Sequence, residues 1–155
     1  MKETTITIKH TILIDKPREL VWDYTQNYQY RTQWDTSVLE ATVLQTTPNR
    51  IVKLLTKGNT IMVLIYKQDE RPYKTSLVAR EVFSPLIESA GGSWVYEEQN
   101  GKTLWQQTNT IIFKKTFAVK LALPLFKIIF SRQTKQAMKK AKHKIEKLQS
   151  LPFSG

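Results

Sequence analysis

The sequence predicts an α+β fold: a mostly antiparallel sheet with one long, strongly basic helix at the C-terminus. Three observations predict it. Residues 4–14 alternate, with Ile6, Ile8, Ile12 and Ile14 on one parity and Thr5, Thr7, Lys9 and Thr11 on the other. That period belongs to a strand with one buried face. Turn signals then recur between β-rich runs, and strands joined by short turns pair antiparallel. In the last third the period changes. Phe126, Phe130, Thr134, Ala137, Ala141, Ile145 and Leu148 follow one another by threes and fours, one stripe down a helix.

The elements follow in order. After the first strand comes Asp15-Lys16-Pro17-Arg18-Glu19. Proline suits the first turn of a helix, and acids suit its positive end. The pattern predicts a short helix at about 17–26 and a second helix or turn at about 28–34, ending near Trp34. Thr47-Pro48-Asn49, Lys57-Gly58-Asn59, Asp69-Glu70-Arg71-Pro72 and Asn100-Gly101 then separate strands at about 37–45, 50–57, 60–68, 73–83, 87–97 and 102–113. Asn-Gly is the strongest of these signals, because both residues tolerate the positive φ of a tight hairpin turn. Gly91-Gly92 inside a strand marks a bulge or a close backbone approach. Pro124 interrupts an apolar stretch, which predicts a short helix or loop at 117–123 and the long helix from Pro124 to Gln149.

A chain of 155 residues, 41% apolar and 10% aromatic, can bury a sizeable core. It holds no cysteine, which excludes disulfides and thiolate metal sites. With no signal-like apolar stretch at the N-terminus and no run long enough to span a bilayer, the expected location is cytoplasmic. The net charge of +11 is concentrated. Residues 1–113 carry 13 Lys+Arg against 12 Asp+Glu, whereas residues 114–155 carry 11 against Glu146 alone. Such a local basic field attracts anionic surfaces and polyanions.

The order of strand, two short helices, antiparallel strands and long terminal helix resembles the helix-grip fold of the START-like superfamily, also called SRPBCC or polyketide cyclase/dehydrase-like. Ile12-Leu13-Ile14-Asp15-Lys16-Pro17-Arg18-Glu19-Leu20-Val21-Trp22 is similar to that family's opening phrase. Trp34 stands where the family has a Trp at the end of the second short helix, and Gly92-Ser93-Trp94 with Asn100-Gly101-Lys102-Thr103 resembles its late hairpin. The resemblance covers residues 1–155 as one ligand-binding domain. It implies a curved sheet of six to seven strands around the terminal helix, with a cavity between them. The small residues mid-stripe (Thr134, Ala137, Ala141), facing large strand residues, independently favour such a space. The expected wall residues are Trp34, Tyr66, Phe83, Trp94, Tyr96, Phe126 and Phe130. His10, on the apolar parity of the first strand, is either a hydrogen-bonded core histidine or a polar group facing the pocket.

Reactive constellations are sparse. His10 and His143 lie at opposite ends of the chain with no second ligand in pattern, so no metal site is expected. There is no nucleophile elbow and no glycine-rich phosphate cradle, so no cofactor is expected. Glu81 and Glu88 lie within strands, facing either solvent or a cavity, where a carboxyl could act as acid or base. The first reading is therefore non-catalytic binding or transport of an apolar small molecule or lipid. The second is a polyketide cyclase/dehydratase-like enzyme that positions its substrate beside His10 or Glu81. The third is an interaction module whose basic helix meets an anionic membrane surface or an acidic partner. Nucleic acid is less favoured, because residues 131–149 hold no aromatic to stack on a base.

Overall fold

The computed structural model describes residues 4–149, so residues 1–3 and 150–155 of the expected domain lie outside the described residues. Strand β1 (Thr5–Ile14) leads into helices α1 (Arg18–Gln26) and α2 (Arg31–Trp34). Strands β2 (Val38–Gln45), β3 (Ile51–Thr56), β4 (Thr60–Glu70), β5 (Lys74–Phe83), β6 (Ile87–Gln99) and β7 (Lys102–Phe113) follow, and helix α3 (Phe117–Glu146) ends the order. The sheet runs β1-β7-β6-β5-β4-β3-β2 with every neighbouring pair antiparallel. Six strands thus form a meander, and β1 closes the far edge beside β7.

The turns follow their residues. Asn100 and Gly101 both take positive φ, 52° and 81°, as a tight hairpin turn between right-twisted strands requires. Gly91-Gly92 is a close approach rather than a bulge. A Cβ on Gly92 would lie 2.7 Å from Asn109 Oδ1 and 3.0 Å from the Thr108 carbonyl oxygen. The bare backbone there leaves room for the Asn109 amide.

The terminal helix differs from expectation. It starts at Phe117, not Pro124, and runs through the proline. Thr116 caps the start by accepting the Val119 N–H at 3.2 Å. Pro124 has no N–H to give to the turn before it, but that loss is confined to one position of a 30-residue helix. Val119 is buried against Ile6, Ile8 and Phe113, and this packing holds the first turns on the sheet.

The other end of α3 is clamped to the end of β1 and the residue that follows it. The Glu146 carboxylate accepts the Asp15 N–H at 2.8 Å and Lys142 Nζ at 2.8 Å. Lys142 Nζ also donates to the Leu13 carbonyl at 2.6 Å. Burial opposes the charge on Glu146, but Lys142 and the Asp15 N–H outweigh it and hold the carboxyl below its ordinary value. The predicted stripe faces inward, with Ala137, Ala141 and Ile145 buried.

Apolar residues gather in three clusters rather than one. The first packs Trp22, Trp34, Trp94, Tyr96 and Trp105 under α1 and the C-terminal half of α3. The second joins Tyr28, Val38, Val52, Leu54, Leu64 and Tyr66 across β2–β4. The third sets Ile6, Ile8, Phe113 and Val119 under the N-terminal half of α3. A domain of this size ordinarily has one contiguous core.

Candidate ligand cavity

The space between the three clusters is a cavity of about 380 Å³. Each cluster supplies wall. Trp34, Trp94 and Ala137 come from the first, Val38, Leu54, Leu64 and Tyr66 from the second, and Ile8, Ile87, Ile111 and Phe130 from the third. Helix α3 crosses it with Phe130, Gln133, Thr134 and Ala137. Thr134 and Ala137 are the short side chains on this face. The volume falls within the range of small-molecule pockets.

Trp34, Tyr66, Trp94 and Phe130 border the cavity. The other four expected residues do not. Phe83 is 61% exposed on the outer surface. The cause is a register shift: Leu64 pairs with Ala79, but Val63 pairs with Glu81, so β5 carries an extra residue at Arg80. A bulge of one residue exchanges the faces of everything beyond it. Thr75, Leu77 and Ala79 therefore share one parity with Glu81 and Phe83 in sequence, yet the first three turn inward and the last two outward.

Tyr96 points inward but lies beneath α1. It packs between Trp22 and Trp105, and its hydroxyl bonds Thr25 Oγ1 at 2.7 Å and Gln26 Nε2 at 2.8 Å. Burial pushes its phenol up, although those two bonds act against the shift. Phe126 stacks on Phe113 at 5.0 Å, in the third cluster. His10 faces α3 at the rim of the sheet, partly buried and outside the cavity wall. Desolvation, then the positive charges of Lys135 and Lys139, lower its pKa below the ordinary 6.5. Glu81 and Glu88 are exposed, as is His143.

The polar part of the wall was not expected. Trp94 Nε1 donates to Asn109 Oδ1 at 3.1 Å, and Asn109 Nδ2 donates to Gln107 Oε1 at 2.9 Å. Gln107 and Asn109 stand on the inward parity of β7 set by Trp105 and Phe113, so polar residues at apolar positions were the signal. Arg31 and Asp35 also border the cavity. Arg31 lies three residues before Trp34, one helical turn away on the same face, which marks it as a companion of a buried tryptophan. Its guanidinium lies over the rings of Trp94, Trp34 and Tyr28 at 4.9, 5.0 and 5.3 Å. Tyr66 bonds the Tyr28 hydroxyl and lies beneath Arg50, 3.8 Å from its ring centroid. Burial, then Tyr28, pushes the Tyr66 phenol well up, so it stays protonated.

No family model and no curated protein matches the sequence. Solved structures do. The chain superposes on the Zhui aromatase/cyclase from Streptomyces sp. R1128 with a TM-score of 0.78 at 13% identity, over 92% of this chain and 94% of that one. TTHA0849 from Thermus thermophilus gives 0.79 at 12% identity, over 90% and 97%. A START superfamily protein from Mycobacterium smegmatis gives 0.75 at 10%, also over 90% and 97%. The chain has the START-like helix-grip fold. Helix-grip proteins include both ligand-binding domains and cyclases, and identities this low carry the fold and no activity.

Proposed function

We propose that this helix-grip protein binds an apolar small molecule or lipid between its sheet and α3, without catalysing a reaction. The observation that carries the reading is the cavity itself: three apolar clusters stop short of one another around about 380 Å³. A cleft of this size with a mainly apolar wall is the form of a small-molecule site. Burying about 300 Å² of apolar ligand surface contributes about 7 kcal/mol before association costs. The enzyme reading positions a substrate beside His10 or Glu81, and neither borders the cavity. Native mass spectrometry of the purified protein, followed by organic extraction, tests the proposal. A co-purified apolar compound, lost in a cavity-filled variant, supports it. Binding that survives filling of the cavity refutes it.

A second reading rests on a different surface. Phe117, Leu121, Leu125 and Ile128 are exposed by 78%, 69%, 56% and 51% in one stripe along the outside of α3. Exposed Lys114, Lys115, Lys120 and Lys127 surround it, and the first turn holds no acid. Lys114 Nζ donates to the Ser84 carbonyl at 2.7 Å, and cations placed before a helix N-terminus oppose the helix dipole, so Lys114 and Lys115 do not stabilise the helix through it. Apolar residues flanked by lysines suit the surface of an anionic membrane, on which α3 would lie without crossing. Among the described residues no helix is long and apolar enough to span a bilayer. The measurement is co-sedimentation with phosphatidylserine-containing vesicles. Binding should fall steeply with salt and with Phe117→Ser/Leu121→Ser; binding indifferent to lipid charge counts against it.

A further inference from the structure

We infer that the cavity selects ligands bearing a carboxylate, received by the two terminal nitrogens of Arg31. This rests on the ligand-binding reading above and specifies its ligand as an amphipathic monocarboxylic acid.

Arg31 is only 9% exposed, unusual for a charged residue unless its groups are matched. One match is present. Its Nε donates to Asp35 Oδ2 at 2.9 Å, one helical turn away. Asp35 sustains the charge of Arg31 against burial, which acts the other way. The contact is single rather than forked. The other Asp35 oxygen accepts the Ser37 N–H at 3.2 Å and Ser37 Oγ at 2.7 Å. No described residue accepts a hydrogen bond from Arg31 Nη1 or Nη2, and the side chain borders the cavity.

Arg50, close by in the same layer, shows what a structural arginine looks like here. Its Nη1 donates to the Gln26 carbonyl at 2.9 Å, and its Nη2 to Gln26 Oε1 at 2.7 Å and Asp69 Oδ1 at 3.1 Å. Every terminal nitrogen of Arg50 has an acceptor. Those of Arg31 have none, yet its plane is held over three aromatic rings. A guanidinium fixed in this way offers donors at no further ordering cost, and their spacing suits two oxygens of one carboxylate.

Charge selects the same class. The charged residues bordering the cavity are Arg31, Asp35 and Lys57, an excess of one positive charge. Asp35 is already engaged by Arg31 and Ser37, so a cationic ligand would find no uncommitted partner there. Leu54, Leu64, Leu77, Ile111 and Phe130 supply the apolar part of the wall, beside the mutually bonded Gln107 and Asn109, and suit an apolar body. A neutral ligand without an acceptor would cover these donors and leave them unmet.

Isothermal titration with two matched pairs tests the inference: decanoate against decan-1-ol, and 2-naphthoate against 2-naphthalenemethanol. The expected result is at least tenfold tighter binding of the acid in one pair. The preference should vanish in Arg31→Gln/Asp35→Asn, which removes the ion pair without stranding a charge, while alcohol binding persists and so shows the cavity intact. Arg31→Lys, retaining charge without the fork, should keep only part of the preference. Equal affinity for acid and alcohol in both pairs overturns the inference and leaves the cavity reading standing. No binding of any of the four compounds overturns both.

Discussion

Thr134→Phe is the change whose sign separates a chamber from a solid interior. Thr134 lies on the α3 face that crosses the cavity, between Phe130 and Ala137. A phenyl group placed there can bury on the order of 100 Å² of apolar surface. At about 25 cal/mol per Å² that contributes about 2.5 kcal/mol. Ordering the ring costs about 1 kcal/mol and the burial figure is an upper bound, so the net gain is about 1 kcal/mol. In a filled core the same substitution would cost about 1–3 kcal/mol by overpacking. Urea unfolding measures the difference as a shift of midpoint at unchanged m-value. The expected outcome is equal or higher stability, together with loss of at least tenfold in ligand affinity. A variant destabilised by about 1 kcal/mol or more would refute the reasoning, because it would mean that no space lies under that residue.

Three further outcomes follow from the geometry. Gly92→Ala should destabilise by about 1–3 kcal/mol, because the new Cβ meets Asn109 Oδ1 and the Thr108 carbonyl; Gly91→Ala, whose nearest contact is the Leu77 carbonyl oxygen at 3.2 Å, should cost less by the same urea assay. His10 should titrate below 6.5 by NMR, and Lys135→Gln or Lys139→Gln should raise it; because the folded state resists protonation, His10 leaves stability untouched above 6.5 and reduces it as pH falls below that value. Glu146 acts through a different window: its lowered pKa adds stability above about 4.5 that disappears as pH falls through the folded value, so Glu146→Gln should be less stable than the parent at pH 7 and converge with it in acid, as read by thermal melts.

The strands and turns were legible because their signals are local. Alternation over residues 4–14 and the turn at Asn100-Gly101 require no knowledge of the rest of the fold. The inner stripe of α3 was legible for the same reason, at a different period. Its start was not, because Pro124 argues against a helix locally and the burial of Val119 overrides it. Three of the seven expected wall residues were lost to geometry that no local pattern carries. The extra residue at Arg80 turned Phe83 and Glu81 outward, while Tyr96 and Phe126 lie on the inner layer but beyond the two ends of the chamber. The polar wall left a faint trace, in Gln107 and Asn109 on an inward parity and in Arg31 one turn from Trp34. That Arg31 keeps unspent donors depends on how Asp35 and Ser37 bond each other, which only coordinates reveal.

The most direct measurement is a crystal structure of the protein under xenon pressure, since apolar cavities take up xenon. Xenon density enclosed by Leu54, Leu64, Leu77 and Phe130 is the expected result. An interior free of xenon, with sites only along the exposed Phe117, Leu121 and Leu125 stripe, would contradict it.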